Sequence, residues 1–210
     1  MSAPRTFAIR HGETEWSRSL RHTGCTDLPL TENGEQRMAA TGKAVVGKDK
    51  LISPDKIAHV RAQKTFELKD GMNIEITEDL REWDYGDYEG LTAREVSERR
   101  RAKGLDKDRK WDIWRDGCEG GESPEQVAAR VDKVISDIWS RFQTREKVAA
   151  SEKVAENAAA DVLCVAHGHL LIAFAMRWVG IPLTGGPRML LEVGGVGILR
   201  LVAAYLPLGA

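Results

Sequence analysis

Two histidines in this chain stand at the ends of short apolar runs. Phe7-Ala8-Ile9 leads into Arg10-His11-Gly12-Glu13-Thr14, and Val162-Leu163-Cys164-Val165-Ala166 leads into His167-Gly168-His169. Runs of this kind read as strands, the second as a strand covered on both faces. In α/β folds, ligands gather at the carboxyl ends of such strands. A glycine after each histidine lets the chain turn sharply, and a helix starting there offers free backbone N–H groups to an anion. Arg10 adds a forked, permanently charged donor beside His11. Arg61 follows the apolar run Ile57–Val60 and is expected to open a helix, Arg61–Leu68, placing its guanidinium on the same rim. Two guanidinium groups and two imidazoles converging there describe a site for a phosphoryl group.

The chemistry follows from those groups. An unprotonated imidazole nitrogen of His11 can attack phosphorus, while the cationic surround keeps the ring neutral and stabilises charge on the equatorial oxygens. His167, held protonated, would donate to a phosphoryl oxygen. Glu82, in the loop Leu80-Arg81-Glu82-Trp83-Asp84-Tyr85-Gly86, is flanked by aromatic residues that can desolvate it. A raised pKa would suit it to protonate the departing oxygen and then to deprotonate an attacking water. Three other readings carry less weight. His167 and His169 could pair on a metal, but no Asp or Glu follows closely to complete the set, and His169 is expected to start a helix and order the pocket. Asp84, Asp87 and Glu89 are expected to be solvated or paired. Arg99-Arg100-Arg101 and Lys103 are interleaved with Glu95, Glu98 and Asp106, which favours a charged helix face over a nucleic-acid contact.

The elements needed to position these groups are also readable. Thr31 is an N-cap for a helix through Gln36, Ala40 and Val45. Ile74–Ile76 is a short third strand. Thr92 with Glu95, and Ser123 with Gln126 and Pro124 between them, are capping boxes. The second of these opens a helix whose stripe Val127, Val131, Val134, Ile135, Ile138 and Phe142 has a 3.6-residue period. A further apolar helix follows Gly168 through Ala173 and Trp178. Met189–Val193 and Val196–Leu199, separated by Gly194-Gly195, suggest a terminal hairpin. Trp111 and Trp114 are expected to pack a lid over the site, and Lys147–Ala160 either extends a helix or forms an excursion. Strands alternating with helices predict a three-layer α/β/α sandwich with a mostly parallel central sheet.

The 210 residues suit a single domain, and 42% apolar with 30% charged residues argues against global disorder. Thirty-one basic against 32 acidic residues leave a net charge of -1, so bulk attraction to nucleic acid or anionic membrane is not expected. No apolar stretch reaches the length of a membrane span, and Arg10 and His11 interrupt what would be the core of a signal peptide. Three widely spaced cysteines, Cys25, Cys118 and Cys164, suggest a reducing cytoplasm, with a nuclear pool compatible.

Together, Phe7–Trp16, the blocks His22–Gln36, Arg61-Ala62 with Thr65, Leu80–Thr92, Trp111–Ser123 and Val165–Leu171 resemble, in order, the histidine phosphatase (phosphoglycerate mutase-like) superfamily. Within it, the segments around Glu82 and Trp111 are most similar to fungal sedoheptulose-1,7-bisphosphatase-like proteins. The resemblance runs from about Thr6 to Leu199. It implies a phosphohistidine at His11, a proton donor and acceptor at Glu82, and a phosphate pocket of Arg10, Arg61, His167 and Gly168. It further implies that Thr23 and Gly24 bind the same phosphate through hydroxyl and backbone N–H, and that Tyr85 lines the sugar side. The implied reaction hydrolyses a sugar phosphate or bisphosphate with no metal or other cofactor. The partner is a small phosphorylated molecule, with a homo-oligomer left open.

Three departures bear on that expectation. The segment that usually precedes Arg-Ala-x-x-Thr is missing, so His59-Val60 runs straight into Arg61. That leaves Arg61 either drawn back from the phosphate or carried on a strand of shifted register. Ile172 stands where relatives acting on sugar bisphosphates tend to carry arginine. The tail beyond Leu199 no longer resembles the family. A mutase that returns the phosphoryl group, or a weakened relative serving as a binding module, are the rival readings.

Overall fold

The computed structural model describes residues 4–62, 74–152, 161–187 and 189–200. Five strands form one sheet: β1 (Arg5–Arg10), β2 (Ile57–Ala62), β3 (Ile74–Ile76), β4 (Asp161–Ala166) and β5 (Val196–Arg200), in the order β3-β2-β4-β1-β5. The three contacts among β1, β4, β2 and β3 are parallel, and only β5 runs antiparallel, against β1. Helices α1 (Glu15–Arg18), α2 (Glu32–Val45), α3 (Ala93–Ala102), α4 (Ile113–Asp116), α5 (Pro124–Glu152) and α6 (Gly168–Trp178) surround it. The α/β sandwich with a mostly parallel sheet is therefore the observed fold.

The local signals that set the helices act as expected. Thr31 accepts from the Gly34 amide at the start of α2. Thr92 and Glu95 close a full capping box on α3. Ser123 and Gln126 exchange side-chain bonds with each other's amides ahead of α5. Each cap satisfies donors that the first helical turn leaves free. All six members of the α5 stripe, from Val127 to Phe142, are buried, and they join a core with Leu170, Leu171, Phe174 and Trp178 of α6. At the opposite end of the sheet from the histidines, Asp161 accepts from both the backbone and the guanidinium of Arg5, pinning β4 to β1.

Two expected elements differ. Met189–Val193 forms no strand, so there is no terminal hairpin: β5 instead adds to β1, and the preceding segment loops back so that the Gly195 carbonyl accepts from the Arg10 amide. Arg61 and Ala62 continue β2 rather than opening a helix. Residues 63–68 of the expected helix, residues 153–160 of the Ala-rich stretch and the tail after Arg200 lie outside the described residues. Among the described residues, no helix is long and apolar enough to cross a membrane.

Candidate active site

The site is set by strand register. Arg10 of β1 pairs with Ala166 of β4, so His11 and His167 leave adjacent parallel strands at the same level. The His11 amide donates to the Ala166 carbonyl at 3.1 Å, and the two imidazole rings meet edge to face with centroids 4.9 Å apart. Residues that are 156 positions apart in sequence thus share one end of the sheet.

His11 stands where two clefts meet. One, of about 260 Å³, is lined by Arg10, His11, Glu82, Tyr85, Gly168 and His169 among others. The second, of about 300 Å³, runs along Thr23–Leu28 and Val165–His167. His11, Thr14 and Thr23 belong to both. His11 Nδ1 lies 2.7 Å from the Gly12 carbonyl. A carbonyl only accepts, so the proton is on Nδ1 and the lone pair on Nε2 is free for attack. Burial is the main cause holding the His11 ring below its ordinary pKa, with Arg10 assisting and the Gly12 bond opposing.

Arg10 Nη1 donates to the Leu191 carbonyl at 2.7 Å, which fixes the guanidinium beside Gly168. Its Nε is buried and has no protein partner. A buried charged donor left in that state is costly unless an anion completes it. Gly168 begins α6 with His167 as the N-cap, and a Cβ at Gly168 would come within 3.0 Å of the Arg10 guanidinium carbon. Glycine is what allows the helix end and the arginine to approach this closely.

Glu82 is buried and is held by three backbone amides: Trp83 at 2.9 Å, Leu170 at 2.8 Å and His169 at 3.0 Å. Its loop is clamped from beneath. Arg130 of α5 donates to the carbonyls of Asp79, Arg81 and Glu82 and forms a two-pronged pair with Glu122. Burial alone would raise the Glu82 pKa, but His167, His169 and the amide donors outweigh it, and the carboxyl sits below its ordinary value. The expected upward shift is therefore corrected: the helix end and amides that position this carboxylate also stabilise its charge.

His167 is corrected in the same way. Burial, helped by His11 and Arg10 and opposed by Glu82, pushes it down to about 4. The ring is neutral at pH 7 and can donate through one N–H without carrying charge. Tyr85 is buried in the wall of the first cleft, and its hydroxyl is 2.7 Å from His169 Nδ1. Burial raises its pKa well above the ordinary value.

Arg61 does not reach this assembly. It is paired in register with Cys164 of β4, three residues below His167, or about 10 Å along a strand. Its guanidinium is buried and bonded to Glu75 at 3.0 Å and to Asp137 of α5. Arg61 lies within β2 rather than on the rim. Replacing Arg61 with leucine is expected to lower stability by about 1–3 kcal/mol, less than a fully buried pair would cost because both partner carboxylates are half-exposed. The same substitution should leave KM for a phosphate ester unchanged; thermal melts and steady-state kinetics on one preparation check both.

Gly24 is also placed differently from expectation. It lines the second cleft, but its amide donates to the Glu89 carboxylate at 2.9 Å. Thr23 lies at the junction of both clefts, its hydroxyl 3.3 Å from the Arg21 carbonyl. Several lining residues were not singled out by sequence reasoning. His22 packs against Tyr85, Trp111 and His169, and its Nδ1 is 2.7 Å from the Leu91 carbonyl. It stands next to Thr23, which is the signal that could have found it. Leu190 and Leu191 line the first cleft from the segment whose sequence pattern suggests a strand. Ile172 lines that cleft too. Trp111 packs on His22 and Trp114 on His169, and neither lines the two clefts directly. Arg99, Arg100 and Lys103 are bonded to Asp87, Asp106 and Glu119.

The profile of the histidine phosphatase superfamily (branch 1) matches residues 6–204. The chain belongs to that superfamily. It is 40% identical over 193 residues to a sedoheptulose 1,7-bisphosphatase of Saccharomyces cerevisiae, covering 85% of this chain and 68% of that one. It is 34% identical over 196 residues to an acid phosphatase of Mycobacterium tuberculosis, covering 92% and 85%. Among solved structures, one from an open reading frame of Mycobacterium tuberculosis superposes with a TM-score of 0.71 at 28% identity, covering 96% of this chain and 93% of that one.

Proposed function

We propose that this histidine phosphatase hydrolyses a sugar phosphate or bisphosphate through a phosphohistidine at His11. One observation carries the reading: the His11 and His167 rings meet 4.9 Å apart beside Arg10, at the junction of two clefts. The phosphoryl group sits against the His11 Nε2, its oxygens taking N–H donors from Arg10, His167 and the Gly168 end of α6. Nε2 attacks phosphorus, the P–O ester bond breaks, and the leaving oxygen takes a proton by way of Glu82. Water then enters; Glu82 accepts its proton as the oxygen attacks phosphorus, the P–N bond breaks, and inorganic phosphate leaves with His11 restored.

Arg10 is the arginine proposed to hold the phosphate, and Arg61, buried against Glu75 and Asp137, is not part of the proposed machinery. Thr23 and Tyr85 are proposed to contact the leaving group, since both line the clefts. A sugar ester as substrate is supported by the 40% identity to a protein named for sedoheptulose 1,7-bisphosphate. Residues 6–204 are proposed to act as one domain. The test is rapid quenching of the wild-type protein with phosphate-labelled sugar bisphosphate. Label that is stable in alkali, lost in acid and matched by free phosphate is the expected result. Isomerised phosphoglycerate without net release would make the protein a mutase, and no label with no turnover would make it a binding module.

A further inference from the structure

Glu89 lies outside the groups used above, yet it joins the two loops that wall the site. Its carboxylate accepts from three consecutive backbone amides: Gly24 at 2.9 Å, Thr26 at 3.0 Å and Cys25 at 3.2 Å. Successive N–H groups turned toward one point make a concave anion site, and here that site is filled from within the chain. Thr23–Thr26 forms part of the wall of the second cleft, and Thr23 belongs to the first as well. Gly24 also lies tightly on the opposite loop: a Cβ there would come within 2.3 Å of the Trp83 carbonyl and 3.1 Å of the Tyr85 ring. Between them, the Glu89 bonds and the Gly24 contact set the spacing of the Thr23 wall from the Glu82–Tyr85 wall.

We infer that Glu89 is a positioning residue that holds the leaving-group side of the clefts in its working shape; the inference rests on the active-site reading above. His11, Arg10 and His167 hang on β1 and β4 and do not depend on this clasp. Releasing it should therefore weaken capture of the ester more than the phosphoryl transfer itself. A variant that merely lost stability would do the reverse, lowering the active fraction and hence kcat while KM stayed the same.

The test compares Glu89→Ala, Glu89→Gln and the wild type by steady-state kinetics, with and without sodium formate, using sodium chloride at equal ionic strength as control. Bonds to a charged acceptor of this kind set the scale, and Glu89→Ala is expected to raise KM about 10- to 100-fold with a smaller change in kcat. Formate, a carboxylate small enough to refill the vacated site, should bring KM of the alanine variant back toward wild type; chloride should not. Glu89→Gln retains one acceptor oxygen, and should fall between the two and gain nothing from formate. A wild-type KM in Glu89→Ala, a loss confined to kcat, or a raised KM that formate leaves unchanged would each overturn the role of Glu89. A wild-type protein that neither releases phosphate nor takes label would overturn the active-site reading instead.

Discussion

Replacing His11 with alanine is expected to reduce phosphate release at least about ten-thousandfold and to abolish acid-labile labelling, because His11 is the proposed nucleophile and its unprotonated Nε2 stands where the two clefts meet. His167 adjoins it at the N-cap of α6, where its proposed part is to donate to the phosphoryl oxygens. Tyr85 is held fully protonated at neutral pH by burial, and its hydroxyl is engaged with His169. Cys25, the exposed thiol of the second cleft, has its pKa raised by burial and by Asp84 and Glu89, so thiolate is scarce. The substitution should barely disturb the fold, since among the described residues the His11 side chain is held by a local bond to Gly12 and a ring contact with His167. Thermal melts matching the wild type, beside the lost turnover in a steady-state phosphate assay, would attribute the loss to chemistry. Retained turnover in this variant would sink the phosphohistidine mechanism.

What the chain reveals before folding divides along a physical line. Caps and periodic stripes are short-range: Thr31, Thr92 and Ser123 act on amides three residues away, and the α5 stripe needs only a helical period to be buried. The meeting of His11 and His167 was also legible, because two buried parallel strands ending in histidine have few ways to align out of register. Arg61 was misplaced by a strand boundary two residues longer than expected, enough to move a charged side chain from the rim into the body of the sheet. The occupant of the Gly24–Thr26 amides, the Leu191 carbonyl on Arg10 and the addition of β5 to β1 depend on loops meeting in space, which spacing alone does not encode. Protonation was the least legible property. Aromatic neighbours suggested a raised Glu82, but His167, His169 and the Leu170 amide, 85 to 88 residues further along the chain, join the adjacent Trp83 amide in lowering it.

That depressed carboxyl shapes the second large effect. Glu82→Gln is expected to lower kcat about 10²- to 10⁴-fold on a sugar phosphate, the usual contribution of a positioned general acid and base. The loss should be unequal between the two half-reactions. With an aryl phosphate, whose leaving oxygen needs no proton, phosphorylation of His11 should survive while hydrolysis of the phosphohistidine, which needs a base for water, should slow. Label on the protein should therefore accumulate, and rapid-quench measurements would see it; equal slowing of both steps would remove Glu82 from proton transfer. The pH profile follows from the same shifts. Glu82 titrates below its ordinary value and is a carboxylate through the neutral range, so the proton given to the leaving group must arrive with the substrate. A phosphate ester's second ionisation, near pH 6, makes its monoanion the carrier. His11, whose pKa is lowered, stays neutral and nucleophilic on the acid side of 6.5. Turnover should therefore rise as pH falls from 8 toward 6 and decline only where His11 takes a proton. For the aryl ester the alkaline fall-off should be flatter than for the sugar ester, in the wild type as in Glu82→Gln, because no proton then needs to be relayed.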